Sequence, residues 1–313
     1  MPFQEVQFFA ADGVSLTGWY IPQSYQGKPS RRTIVCCHPY NSSKSNLLGV
    51  ARGFWDQRYS LFLFDFRSFA HIRTEQSIGF LEQRDARAAI ATAKQLSPEG
   101  TQIGVMGASM GGAVSLIVGH EEETAAVGIA ADCAFSSLSA VLEQAIHHRF
   151  PYLPSILTCG ICKLSALMNP AVCWLRGITP YSFDEVSPVS AVRSGPRAGD
   201  VPLLLIHAED DQTCPISHAH AIHAAAAVDD KDLVVVQRCQ HVGCFFQDRS
   251  AYMKLVVGFF DRVFERAEEE ARLLVKSRVE DREDLDDGAN GLGEGWGKTV
   301  VDASSGFVKV TGW

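Results

Sequence analysis

Gly107-Ala108-Ser109-Met110-Gly111 stands between a strand-like run, 102–106, and a helix-like run, 110–120. The pentapeptide has the form G-x-S-x-G. A serine set between a strand and a helix in this way sits at the apex of a sharp turn that exposes its Oγ, a nucleophile elbow. Only small neighbours let the backbone bend so tightly, and Gly107, Ala108, Gly111 and Gly112 supply them. A serine hydroxyl is a weak nucleophile at neutral pH, so it needs a base to take its proton and an acid to fix that base's tautomer. Both residue types stand downstream, each on a loop leaving a strand-like run. The apolar run 201–206 leads into His207-Ala208-Glu209-Asp210-Asp211-Gln212-Thr213-Cys214-Pro215, and the run 233–237 leads into Arg238-Cys239-Gln240-His241-Val242-Gly243. The first loop offers Asp210 or Asp211 as the acid, and the second offers His241 as the base.

The order Ser109, Asp211, His241 resembles that of the α/β-hydrolase superfamily, and the resemblance extends from about Glu5 to about Arg266. It implies an α/β-hydrolase fold: a mostly parallel central sheet with helices on both faces and a small helical cap insertion. The segment 6–22, with its Asp12-Gly13 turn between two β-rich runs, looks like the family's opening hairpin. Similar sequences read His-Gly-x-x-Asp-x-x-x-Pro where this chain has 207–215, which selects Asp211 over Asp210. They commonly read His-Gly at the end of the strand-like run 32–38, where this chain has His38-Pro39-Tyr40. Proline has no N–H to donate, so the resemblance assigns the oxyanion-hole donors to the backbone N–H groups of Tyr40 and Met110. Asp65-Phe66-Arg67-Ser68-Phe69-Ala70 resembles the family's Asp-x-Arg-x-x-Gly with alanine at the last position, and Asp65 and Arg67 are expected to hold the fold as a pair. The stretch 184–188 matches the family's link between cap and strand and is assigned no chemistry.

Strand-like and helical runs alternate as in a parallel α/β sheet: strands near 33–38, 60–64, 102–106, 126–131, 203–207 and 233–237, and helices near 45–57, 82–95, 110–120, 217–227 and 249–266. At 313 residues and 46% hydrophobic the chain can bury one large core. The expected organisation is a hydrolase domain over 1–266, interrupted by the cap at about 135–180, and an extension over 267–313. Within the cap an apolar stretch, 155–168, is expected to lie over the serine and shape a pocket for an apolar acyl or alkyl group. Lys163, Pro154 and Pro170 interrupt it, so its uninterrupted part falls short of the ~20 residues of a membrane span, and peripheral contact with a bilayer stays open. The extension combines an acidic run, 281–287, a glycine-containing linker, 287–295, and a β-prone end that could dock on its own domain or on a partner.

Residues 1–5 lack the basic and apolar regions of a signal sequence, so a cytoplasmic location with reduced thiols is expected for the nine cysteines. Cys159-Gly160-Ile161-Cys162 falls in the cap and reads as buried thiols. Cys214, Cys239 and Cys244 flank the acid and base, where oxidation or alkylation would inhibit. In 218–223 only His220 and His223 are helix neighbours, so these histidines read as surface residues and no metal or other cofactor is expected. A formal charge of −8, with no basic stripe or phosphate-binding loop, disfavours nucleic acid. The expected activity is cleavage of a small-molecule carboxylic ester, thioester or amide through an acyl-enzyme. The alternatives are a serine peptidase, amidase or acyltransferase on the same fold, or a non-catalytic binding or scaffold protein.

Overall fold

The structure, a computed structural model, describes residues 1–67, 77–175 and 180–290. In chain order the strands are β1 (Gln4–Phe9), β2 (Ser15–Ile21), β3 (Ser24–Tyr25), β4 (Lys28–Pro29), β5 (Arg32–Cys37), β6 (Ser60–Phe64), β7 (Gln102–Ala108), β8 (Ala126–Asp132), β9 (Leu203–Ala208) and β10 (Lys231–Val236). The α-helices are α1 (Leu48–Asp56), α2 (Leu81–Leu96), α3 (Met110–Gly119), α4 (Leu138–Arg149), α5 (Ser155–Leu175), α6 (Pro188–Ser194), α7 (Ser217–Ala225), α8 (Cys244–Gln247) and α9 (Arg249–Asn290). Eight strands form one sheet in the order β1-β2-β6-β5-β7-β8-β9-β10, and the short β3 and β4 pair with each other. The first two pairings are antiparallel and the remaining five are parallel.

A parallel sheet covered on both faces needs strands that are apolar on both sides. In β6, Ser60-Leu61-Phe62-Leu63-Phe64, every residue is buried. Phe62 and Phe64 pack with Val35, Val105, Ala86, Ile90 and Val114 on the α2–α3 face. Leu61 and Leu63 pack with Ile34, Met106, Phe54, Val256 and Phe260 on the α1–α9 face. The sheet opens with the expected hairpin, where Ala10 N–H donates to Val14 O at 2.9 Å and Gly13 takes a φ of +80° that favours glycine. Because β6 lies on one side of β5 and β7 on the other, the chain reverses its winding direction across β5. The loops leaving the carboxyl ends of β5 and β7 therefore part and leave a crevice, the usual place for a ligand in such a sheet. His38 to Tyr40 and Ser109 lie on those two loops.

Asp65 and Arg67 hold the fold, but not as a pair with each other. Asp65 accepts from the Lys44 backbone N–H at 2.7 Å and from its Nζ. Arg67 spreads its guanidinium over Asp85 and Asp12, with contacts of 2.7 Å to each, and so ties α2 to the β1–β2 turn. Residues 68–70 of that motif lie outside the described residues.

Two helices differ from the sequence reading. Residues 155–175 form one helix that runs through both Lys163 and Pro170; a proline costs one internal hydrogen bond and a kink, which flanking turns can absorb. The last helix, expected to stop at Arg266, continues to Asn290. From 268 to 287 the chain has no proline or glycine and is rich in Glu, Arg and Leu, all good helix formers. The expected linker thus begins as helix, while its end and the β-prone stretch fall in 291–313, outside the described residues. Two compact units are distinguished, Met1–Ala267 and Glu268–Trp313.

Candidate active site

Ser109 sits between the end of β7 and the start of α3 with φ +53° and ψ −120°, a strained conformation for a residue with a Cβ. Its N–H donates to Asp132 O at 2.8 Å and its carbonyl accepts from Ala113 N at 2.9 Å, which fixes the turn. The surrounding glycines are required by close backbone approach. A Cβ on Gly107 would lie 2.2 Å from Gly111 O, and one on Gly111 would lie 2.3 Å from Cys37 O and 2.5 Å from His38 O. Those neighbours are main chain and cannot swing aside. Gly111→Ala is expected to destabilise the fold by ~3 kcal/mol, the upper part of the usual overpacking range, which a denaturant melt of the variant beside the wild type measures.

Asp211, on the loop after β9, is 4% exposed, whereas its neighbour Asp210 points into solvent. The Asp211 Oδ1 accepts from the N–H groups of Thr213 and Cys214 at 2.9 and 2.8 Å. Its Oδ2 lies 2.6 Å from His241 Nδ1. Burial pushes this carboxyl up, but the bonds from His241 and Cys214 outweigh it and hold Asp211 below the usual carboxylate value. His241 in turn places Nε2 2.8 Å from Ser109 Oγ. Three residues spread over 132 positions of the chain thus form one continuous line of hydrogen bonds.

For the His241 ring, burial disfavours the charged form, yet the Asp211 bond and the contact with Cys133 prevail and raise it to about 9. A carboxylate only accepts, so Nδ1 carries a proton in either charge state. When the ring is neutral, Nε2 is left to accept from Ser109.

The loop carrying Tyr40 is organised by His38, a residue whose role the sequence reading did not foresee. Phe66 N–H donates to His38 Nε2 at 3.0 Å. The proton of the neutral ring is therefore on Nδ1, which donates to Pro39 O at 2.7 Å. Burial lowers the His38 pKa and favours that neutral form. In a trans peptide the carbonyl and the following N–H point in opposite directions, so anchoring Pro39 O on His38 sets the direction of the Tyr40 N–H. Met110 is the first residue of α3, where an N–H has no acceptor within the helix.

Beneath the site, Cys133, Cys239 and Cys244 are buried, with the last two sulfurs 3.9 Å apart. Cys214, Cys239 and Cys244, expected as points of chemical inactivation, are each at most 3% exposed, and all three thiols are shifted upward. For Cys214 and Cys239 burial is the leading cause. They are protonated and shielded, and so poor targets for alkylation. His218 departs from the expectation of a surface helix histidine: it is 6% exposed, and its Nδ1 accepts from the Ser136 N–H at 3.1 Å. On α7 His220 is exposed and His223 is half-buried.

A cavity of about 350 Å³ adjoins the elbow. Cys37, Pro39, Met106, Gly107 and Ala108 line it from the ends of β5 and β7, and Leu47, Val50, Val242, Phe245 and Phe246 line it from the helical side. The lining is predominantly apolar. Among the described residues none of it comes from 135–180, the segment expected to roof such a pocket; α4 and α5 border two other cavities instead. The reason is packing: Leu138, Val141, Leu142 and Ala166 join the core on the α2–α3 face, while Leu47, Val50, Val242 and Phe245 belong to the α1–α9 face.

No protein-family model matches the chain. It is 24% identical over 262 residues to the uncharacterized protein YfhR of Escherichia coli strain K12, an alignment that covers 82% of this chain and 80% of that protein. Among solved structures it is similar to an esterase of Pyrococcus furiosus, with a TM-score of 0.62 at 20% identity over 83% of this chain and 92% of the other. It is also similar to the alpha/beta hydrolase GrgF of Penicillium sp. sh18, with a TM-score of 0.60 at 20% identity over 84% and 99% of the two chains. At such identities the likeness is one of architecture, and the chain has the α/β-hydrolase fold.

Proposed function

We propose that this protein is a serine hydrolase that cleaves a carboxylic ester through an acyl-enzyme. The observation that carries the reading is the unbroken line Asp211–His241–Ser109, with contacts of 2.6 and 2.8 Å, at the switch point of the sheet. Ser109 Oγ attacks the carbonyl carbon while His241 Nε2 takes its proton. The carbonyl oxygen becomes an oxyanion, held by the N–H groups of Tyr40 and Met110. As the intermediate collapses, the bond to the leaving alkoxide breaks and His241 returns the proton to it. A water molecule then repeats the sequence on the acyl-enzyme, releasing the acid and restoring Ser109. Asp211 keeps the His241 proton on Nδ1 and stabilises the imidazolium that forms twice per turnover.

The apolar cavity beside the elbow favours an ester with an apolar acyl chain, because its walls offer few polar partners for a polar one. Val50→Phe, which fills part of that cavity from the α1 side, is the test. At about 0.8 kcal/mol per methylene buried, excluding two or three methylenes lowers kcat/KM for long-chain p-nitrophenyl esters roughly tenfold or more, while the acetate ester is unaffected. Equal losses on short and long esters would place the acyl chain elsewhere.

A further inference from the structure

Helix α5 is held to the protein by a narrow stripe. Thr158, Cys162 and Cys173 are at most 5% exposed, Cys162 Sγ donates to Ser139 O at 3.3 Å and Asn169 Nδ2 donates to Tyr181 O at 2.8 Å. At about 100° per residue these positions, with Ala166, span roughly 80° of the helix surface. Most of the remainder is open and apolar. Ile156 is 81% exposed, Leu164 59%, Leu167 76% and Trp174 73%; together with Leu157, Ile161, Met168 and Val172 they fill a continuous arc of roughly 160°. Ser155–Trp174 is long and apolar enough to cross a membrane by length and composition, with mean hydropathy 1.5. An exposed apolar face of this extent is not left bare in water without a use.

The charge around it indicates what covers it. From 144 to 183 the sequence has Arg149, Lys163 and Arg176 and not one aspartate or glutamate, in a chain of formal charge −8. Lys163 falls at the margin of the apolar arc, where its ammonium can reach headgroup level while its stem lies along the helix. Tyr152, 98% exposed, precedes the helix and Trp174 closes it; amphipathic rings at both ends suit a membrane–water interface. The cationic Lys163 at the margin of the arc, a helix that itself carries no anion, and terminal aromatics together fit a surface that is apolar beneath an anionic layer; the nearby Glu143 lies on the α4 side, next to the buried Cys162.

We propose that α5 docks this protein on an anionic lipid bilayer, lying flat in the interface with the arc of Ile156, Leu164, Leu167 and Trp174 buried among the acyl chains. It does not cross the membrane, because its opposite stripe stays bonded to Ser139 and Tyr181. Docking brings the protein to lipid-dissolved substrates, but it does not depend on the activity proposed above.

The test is co-sedimentation of the full chain with vesicles of phosphatidylcholine alone and of phosphatidylcholine mixed with phosphatidylglycerol. Binding is expected on the mixed vesicles and to weaken with added salt. Leu164→Glu combined with Leu167→Glu is expected to reduce partitioning at least tenfold, from the loss of two buried leucines. Lys163→Gln is expected to reduce it about fivefold on the mixed vesicles only, from one surface cation at about 1 kcal/mol. Unchanged thermal melting of both variants separates lost docking from misfolding. Failure of the wild-type chain to bind either vesicle overturns the proposal. So does a dimer in solution that the double variant splits, since the arc would then be covered by a second copy.

Discussion

Ser109→Ala is expected to lower kcat/KM for a p-nitrophenyl ester by ~10⁴-fold or more, and His241→Ala by a similar factor, with the double variant no worse than either. In the proposed mechanism Ser109, His241 and Asp211 act as one device. Without Oγ the base has no proton to take, and without the imidazole the hydroxyl stays protonated. On the same mechanism a residual rate is expected in each variant from the proposed oxyanion donors and from substrate binding, which neither substitution touches. Steady-state kinetics on the two single variants and the double variant measure this. Losses that multiply in the double variant would mean that Ser109 and His241 act in separate steps, contrary to the 2.8 Å contact between them.

Asp211→Asn is expected to cost ~10⁴-fold and to change the pH profile in a direction that a purely structural role would not give. The proposed mechanism needs the neutral His241 ring, so activity is expected to rise with pH as the ring loses its proton. Asp211 raises the pKa of the ring above that of an ordinary histidine. The acid limb of kcat/KM in the wild type therefore lies above the ordinary histidine value of about 6.5. Removing the carboxylate charge moves that limb to lower pH even as the plateau falls, because asparagine no longer stabilises the imidazolium. The pH dependence of kcat/KM for wild type and variant reads both effects. A limb that stays in place in Asp211→Asn would show that this carboxylate does not govern the base.

The fold was legible in the sequence largely because the features that decide it are local. An apolar run such as Ser60-Leu61-Phe62-Leu63-Phe64 announces a doubly covered strand without reference to the rest of the chain. The elbow is equally local: strand, small residues, serine and helix follow within about twenty positions. The positions of Asp211 and His241 could be read because each follows a strand, although selecting Asp211 over Asp210 took a resemblance. In the structure the difference is burial, since one faces His241 and the other faces water.

What the sequence did not disclose were partnerships between distant segments. Nothing near Arg67 indicates that it turns to Asp85 and Asp12 while Asp65 turns to Lys44. The role of His38 depends on the Phe66 backbone, 28 positions away. His218 looked like one of three surface histidines because the loop that buries it, at Ser136, lies 82 positions earlier. The long α5 was obscured by Pro170 and Lys163, which read as interruptions in one dimension but are absorbed on the helix surface. Nor does the composition of 135–180 reveal that its described residues leave the lining of the cavity beside the elbow to other elements. Which face of the sheet an inserted segment joins is set by tertiary packing, not by its own composition.

The most direct measurement is labelling of the purified full chain with a fluorophosphonate, followed by mass spectrometry of the modified peptide. An activated serine at the elbow gives a single stoichiometric adduct on Ser109, absent from Ser109→Ala and strongly slowed in His241→Ala. A correctly folded protein that takes up no label, or takes it up equally in Ser109→Ala, would contradict nucleophilic catalysis at this site and leave the fold as a scaffold for binding.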